Sequence, residues 1–423
     1  MANYLTSNVT EKLARAFLNG FESNRVITKT IDTQTFADKI TPASGTTISV
    51  KRAHDYRTSR TSDGDLTSET KSSIISGKST ATVQNFFTCA VEFGSLEEAT
   101  SLDQLTEILS PSATRICTDL EVDLASYMQK NCNLSYGTPG TAIDAWSDVA
   151  GAGSLMDTLG VPKDSQWNYV MNPYSGQALA SVQSGLAPGS GGLVNNAWQK
   201  AMLSDNVGGM RVMTSNALSS RTVTTAADLA GSLTAAPTLT YVGAKDTMTQ
   251  VWAVTGFTAS ATIKAGDIVE VTGKYRCSMA TRQPVFDAAG AQIKFRAVVT
   301  ADVTLGTAGE GNITVAGAGI YEATGQYNTM TAALATSDVV TILGTSAATV
   351  QPALFYHPKA FTMASVKLPK LYSTDTVATT KDGISIRVSK YSDGDKNKQM
   401  VRFDFLPAYG TLNPFFAGQG FGA

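Results

Sequence analysis

The chain has 423 residues, of which 43% are hydrophobic and 16% charged, with 33 Lys and Arg against 35 Asp and Glu for a net charge of −2. That is apolar material for more than one core, and without a basic excess to neutralise phosphates, direct nucleic-acid binding is excluded as a main function. Low charge with 36 glycines and abundant Ala, Thr and Ser points to β-rich structure whose surfaces meet other protein surfaces.

Val9 to Leu18 carries helical periodicity and should stop at Asn19-Gly20, giving an amphipathic N-terminal arm. Thr46 to Arg52 alternates as a strand. From Lys51 to Gly77 the chain turns polar: Lys51, Arg52, Arg57 and Arg60 come first, and Asp63, Asp65 and Glu69 follow around the turn Asp63-Gly64-Asp65. A polar stretch of that length is either disordered or a long arm ordered by a neighbour. Val83 to Phe93 resumes strand alternation, and Gly94-Ser95 with Glu97-Glu98 leads towards a helix.

That helix is the longest pattern in the chain, Ser110 to Asn133. Ser110 is a natural N-cap, Pro111 suits the first helical position, and Ala113, Ile116, Cys117, Leu120, Leu124, Tyr127 and Met128 form an apolar stripe. Glu97, Glu98, Asp119, Glu121 and Asp123 read as a helix start and a solvated helix face. Beyond it, Ala142 to Leu159 is helical around Trp146, Trp167 to Met171 is a strand stopped by Asn172-Pro173, Pro188 to Gly192 is a glycine-rich loop, and Gly208 to Met213 is a turn and strand. Alternating helices and strands indicate an α+β or α/β domain.

From Val223 to about Leu343 the character changes to Thr, Val, Ala and Gly. Strand patterns at Thr238 to Val242, Gln250 to Val254, Asp267 to Val271, Gln292 to Val303, Asn312 to Val315 and Val339 to Ile342 argue for a separate all-β barrel, inserted because Phe355 to Lys370 returns to the earlier style. Ile384 to Val388 and Met400 to Phe405 pair as a hairpin across Asp393-Gly394-Asp395.

Chemistry-bearing motifs are sparse. Gly77-Lys78-Ser79 ends like a phosphate loop, but Ser72 stands where the first glycine belongs. Asp393, Asp395 and Asn397 begin like a calcium loop, but Lys398 replaces its glycine. The two histidines, His54 and His357, read as surface or hydrogen-bonding residues. No catalytic, cofactor or metal residues are therefore assigned. Cys89, Cys117, Cys132 and Cys277 are widely spaced, as free thiols in a reducing cytoplasm would be. Residues 1–20 lack a signal-peptide core, and no apolar run approaches the ~18 residues of a membrane span.

The order of these parts resembles the major capsid (coat) proteins of short-tailed lambdoid double-stranded-DNA bacteriophages, the podovirus type. The telling pieces are Lys264-Ala265-Gly266-Asp267-Ile268-Val269-Glu270-Val271, Tyr169-Val170-Met171-Asn172-Pro173, and the hairpin Arg387-Val388-Ser389-Lys390 with Arg402-Phe403-Asp404. The resemblance implies an α+β Johnson fold with a telokin-like inserted barrel. By region it implies an N-arm (1–40), an extended loop with flanking strands (41–93), a spine helix of the peripheral domain (94–134), the first part of the axial domain (135–222), the inserted β-barrel (223–345) and completion of the axial and peripheral domains (346–423). It also implies hexamers and pentamers of the chain itself in an icosahedral shell, first as a procapsid that expands. A scaffolding protein, a portal protein and packaged DNA held without sequence-specific contact are the expected partners, with no membrane and no cofactor. Because the sequence starts almost directly at the arm helix, the scaffolding protein should be a separate chain. Synthesis is expected in the host bacterial cytoplasm and residence in the virion.

The candidate intersubunit contacts are Arg52, Arg57, Arg60, Asp63, Asp65 and Glu69 in the arm, with Lys245 and Asp246 in the loop Val242 to Gln250. A β-rich adhesin is the alternative, but it needs export, for which no signal is visible. A carbohydrate-active enzyme needs grouped carboxylates and aromatic platforms, whereas tryptophans 146, 167, 198 and 252 are scattered.

Overall fold

Pro111, expected to open the long helix, lies inside it. In the computed structural model the helix runs Leu105–Asn131. The helical backbone therefore begins five residues before Ser110. The missing N–H of Pro111 leaves one carbonyl of the preceding turn without its helical donor. Residues 14, 18, 20–21, 25–36, 45–94, 105–184, 206–323, 325–372, 375–380, 382–393 and 395–423 are described. Of the expected N-terminal helix only Ala14 and Leu18 fall among them, and both are helical; Gly20 and Phe21 are helical too, past the expected stop. Glu97, Glu98 and the loop Pro188 to Gly192 lie outside the described residues.

The chain forms two compact units. The first draws on described residues among 1–50, 80–125 and 361–411. One of its sheets has the order Thr47–Lys51, Lys78–Val83, Pro407–Thr411, Phe361–Ser365; the other runs Thr376–Thr379, Ser385–Asp393, Lys398–Phe405, Phe87–Gly94. The expected closing hairpin is present, in register from Ile386 opposite Phe405 to Asp393 opposite Lys398. The single strand expected over Val83 to Phe93 is two strands in different sheets, because the chain leaves the extended ladder at Gln84 to Phe86. On the helix, Ala113, Ile116, Cys117, Leu120 and Leu124 are buried, and Phe405 packs with Phe21 and Phe87. Glu121 is not on a solvated face: it is 3% exposed, and its carboxylate accepts backbone N–H groups from residues 26–28.

The second unit comprises described residues among 51–79, 126–360 and 412–423. Its five-stranded sheet has the order Leu134–Tyr136, Ala417–Gly420, Ala353–Tyr356, Trp167–Met171, Met210–Thr214, with the outer pairs parallel and the inner pairs antiparallel. Every residue of Trp167–Met171 and Ala353–Tyr356 is buried, as strands covered on both faces require. Pro173 ends the strand and opens the helix Pro173–Ser184, and Trp146–Thr158 is the helix expected around Trp146. The Tyr169 and Phe355 rings stack at 6.4 Å. Gly418 admits the Phe355 ring, since a Cβ there would lie 2.3 Å from it.

A closed barrel runs in the order Ile268–Tyr275, Lys294–Val299, Gly311–Ala316, Thr249–Thr255, Ala230–Leu233, Val339–Ile342. In Thr249–Thr255 the alternation turns Gln250, Trp252 and Val254 inward, and Trp252 packs on Phe295. The strand expected over Thr238 to Val242 is instead a short helix, Tyr241–Ala244, with Thr240 in the extended N-cap conformation. The run Gln292 to Val303 divides into Lys294–Val299 and Val303–Thr304. Arg221–Thr222 pairs with Thr349–Val350, so the segments entering and leaving the barrel region lie side by side.

Asn133, two residues past the long helix, ties this unit together. Its Nδ2 donates to the Ala316 carbonyl at 2.9 Å, and its Oδ1 accepts from the Arg276 guanidinium at 2.5 Å. Arg276 is buried against Phe295 and also donates to the Asn133 and Arg296 carbonyls. Burial lowers its guanidinium to about 9.

Candidate intersubunit arm

Residues 51–79 group with the barrel-bearing unit rather than with the strands that flank them in sequence. The two limbs of this arm run antiparallel. Arg52 N–H donates to the Gly77 carbonyl at 2.9 Å, His54 Nδ1 lies 3.2 Å from the Ile75 carbonyl, and Arg57 N–H donates to Ser72 Oγ at 2.8 Å. Gly64-Asp65 lies at the turn between the limbs. Gly64 has a φ of +77°, which a tight turn asks of a glycine.

The candidate residues separate into two groups. Arg52, Lys245 and Asp246 are engaged at the root. Arg52 donates to the carbonyls of Lys78 and Leu412, and burial lowers its guanidinium from the ordinary value, against the opposing pull of Tyr241 and Asp246. Asp246 accepts from the Lys78 N–H at 3.3 Å. Lys245 ends the short helix, and its carbonyl lies so near Gly77 that a Cβ there would approach to 2.5 Å. The loop Val242 to Gln250, which carries two of the candidate intersubunit residues, receives the chain's own arm.

The rest stand at the tip. Arg57, Arg60, Asp63 and Asp65 are exposed and Glu69 is half-buried. Asp63 accepts from the Asp65 N–H, and Asp65 accepts from the Thr67 N–H and hydroxyl, which hold its carboxyl below the usual range. These are local turn bonds. Among the described residues, Arg60, Asp63, Asp65 and Glu69 make no ion pair. Tyr56, Leu66 and Ile74 add exposed apolar surface.

Asp55, Gln326 and Arg282, which join the arm to the barrel side, carry no signal in the sequence. Arg282 pairs with Asp55, and Gln326 is bonded to both limbs. Gln326 follows a glycine turn, and no periodicity marks it.

Elsewhere the chemistry is structural. Lys78 opens a strand, not a phosphate cradle. His357 is fully buried between Asp164, 2.7 Å away, and the Lys359 N–H, and burial lowers its imidazole. All four cysteines are free thiols. Among the described residues no group of three His, Cys, Asp or Glu could hold a metal, and no helix is long and apolar enough to cross a membrane.

The sequence model of the P22 coat protein (gene protein 5) matches residues 1–422. A major capsid protein of Acyrthosiphon pisum secondary endosymbiont phage 1 is 40% identical over 427 residues, covering all of both chains. Among solved structures, one from Mycobacterium phage Che8 aligns at a TM-score of 0.46 and 11% identity, over 93% of this chain and 90% of that one. The capsid of cyanophage P-SCSP1u aligns at 0.45 and 11%, over 93% and 86%. The full-length model match and the full-length relative make the assignment: the chain belongs to the P22 coat protein family, the major capsid proteins of phages.

Proposed function

We propose that this chain, a phage major capsid protein by family, assembles with itself as hexamers and pentamers into the icosahedral shell around double-stranded DNA. It does so first as a scaffold-dependent procapsid that later expands, with a portal protein at one site and DNA held without sequence-specific contact. The chain is made in the host cytoplasm and ends in the virion. Residues 41–93 act as the extended loop, 94–134 as the spine, and 223–345 as the inserted barrel.

The observation that carries this reading is the arm tip, where both signs of charge stand on an exposed turn and Arg60, Asp63, Asp65 and Glu69 make no ion pair among the described residues. Split charge of that kind is complementary to a second copy of itself. A shell multiplies contacts, so each can be as weak as roughly 4 kcal/mol, near millimolar, and still close cooperatively and correctably.

Electron microscopy of the purified chain, alone and with the scaffolding protein, tests this. Closed shells or capsomer rings support it; a persistent compact monomer that binds glycans defeats it. Correctly sized shells from the coat chain alone would remove the scaffolding requirement.

A further inference from the structure

We propose that the barrel side of the subunit clamps the root of the arm in the free chain, aiming its tip before a second copy arrives; this rests on the shell reading above. The clamp has named parts, all within one compact unit. Gln326, 5% exposed, spans both limbs: Nε2 donates to the Asp55 carbonyl at 2.5 Å and the Ser73 carbonyl at 3.0 Å, while Oε1 accepts from the Ser73 N–H at 3.2 Å. Arg282 donates to the Asp55 carboxylate through two nitrogens and is steadied by the Asn328 carbonyl at 3.1 Å. Its φ of +57° is a left-handed conformation that costs a non-glycine residue energy, and the surrounding bonds hold it there.

Below these contacts, the Tyr241 and Tyr327 rings stack at 3.8 Å, and Ile75 packs against the same cluster. Asp246 and Lys78, then Arg52 and Leu412, finish the root. Past Ser73 the character of the bonding changes. Arg57 and Ser72 bond to each other, and among the described residues the turn bonds only to itself. The arm therefore has a fixed root and a projecting tip.

The physical consequence is preorganisation. A free polar arm would lose backbone entropy for every residue ordered on docking. A clamped root has lost that entropy during folding, so docking by the tip opposes less. Gln326 and Arg282 are then positioning residues for assembly, acting through the arm without touching the neighbour.

Hydrogen exchange on the soluble subunit, with assembly measured in parallel, tests this. In the wild-type chain the Ser73 and Lys78 amides should exchange slowly and the amides of residues 60–69 fast. In the double variant Gln326→Ala, Arg282→Met, protection at Ser73 and Lys78 should fall about tenfold, the equivalent of one or two lost hydrogen bonds. The amides of Thr249–Thr255 should hold unchanged, and the chain concentration needed for shells should rise about tenfold. Asp55→Ala, placed on the arm itself, should give the same direction without altering the barrel. Equal arm exchange in wild type and variants, or a released arm with unchanged assembly concentration, overturns the proposal. A wild-type chain that never forms shells sinks the shell reading instead, and the exchange data still decide whether the clamp exists.

Discussion

The carboxylate of Glu121 accepts the backbone N–H of Ile27 at 2.7 Å, which fastens the segment after the N-terminal region to the long helix. The same carboxylate takes the amides of Val26 and Thr28. Glu121→Ala should cost about 3 kcal/mol, because buried donors to a charged acceptor lose their partner. Glu121→Gln, which keeps one acceptor, should cost about half that. Urea midpoints of the soluble subunit measure both.

Gly317 lies against Asn133. A Cβ at Gly317 would stand 2.2 Å from Asn133 Nδ2, and the glycine φ is +79°. Gly317→Ala should therefore destabilise by about 2 kcal/mol or more. Asn133→Ala should cost a similar amount by removing the side-chain bonds to the buried Arg276 guanidinium and the Ala316 carbonyl. Part of the Gly317→Ala cost is the clash with Asn133, so the double variant should cost less than the sum. Additive values would show that the two sites do not share this contact.

Thiol labelling should follow burial. Burial pushes the Cys117 and Cys132 thiols up to about 12, leaving almost no thiolate near pH 8. Half-buried Cys89 should react first in the native chain, with Cys117 and Cys132 silent until unfolding. Native labelling of Cys132 ahead of Cys89 would contradict the packing described.

Acid should loosen the site around His357. Burial lowers its folded-state value below the ordinary 6.5, so the unfolded chain takes up the proton first. Its contribution is intact above pH 6.5 and is lost as pH falls below that. Asp164 and Lys359 are the charged groups facing it. Lys359 and His357 hold the Asp164 carboxyl below its ordinary 3.8, so its own loss begins only at more acid pH. His357→Gln should flatten the stability profile just below pH 6.5, and an unchanged profile would remove His357 as the cause.

Reversing one tip charge should weaken assembly without touching the fold. Arg60→Glu, on an exposed residue, should lower shell yield while leaving the unfolding free energy of the free subunit within about 0.5 kcal/mol of wild type. Raising salt should shrink the difference between variant and wild type. A yield equal to wild type across the salt series would remove Arg60 from the interface.

Much of the β structure was legible because a strand that buries one face shows alternation and one that buries both shows an apolar run. Val339–Ile342 and Trp167–Met171 stand where their alternation or apolar run put them. Local patterns failed where a distant partner decides. Thr238 to Val242 has strand composition, yet Tyr241 is drawn into a stack with Tyr327 and the backbone turns helical. Glu121 sits among charges at helical spacing, and only the segment after Arg25 makes it a core residue. Within the arm, composition marked the exposed tip. It could not mark the root, since Gln326 lies more than 250 positions from the limbs it joins.

The placement of Ala417–Gly420 sets a timetable for synthesis. This strand lies between Leu134–Tyr136 and Ala353–Tyr356, so the sheet stays divided until residues 417–420 have been made. At roughly 5 to 20 residues per second, strand Ala353–Tyr356 waits on the order of ten seconds with an open edge. An open edge of wholly apolar strand invites pairing with other chains. A polypeptide stopped short of residue 417 keeps that edge indefinitely. Such a truncated chain should therefore aggregate where the full chain folds.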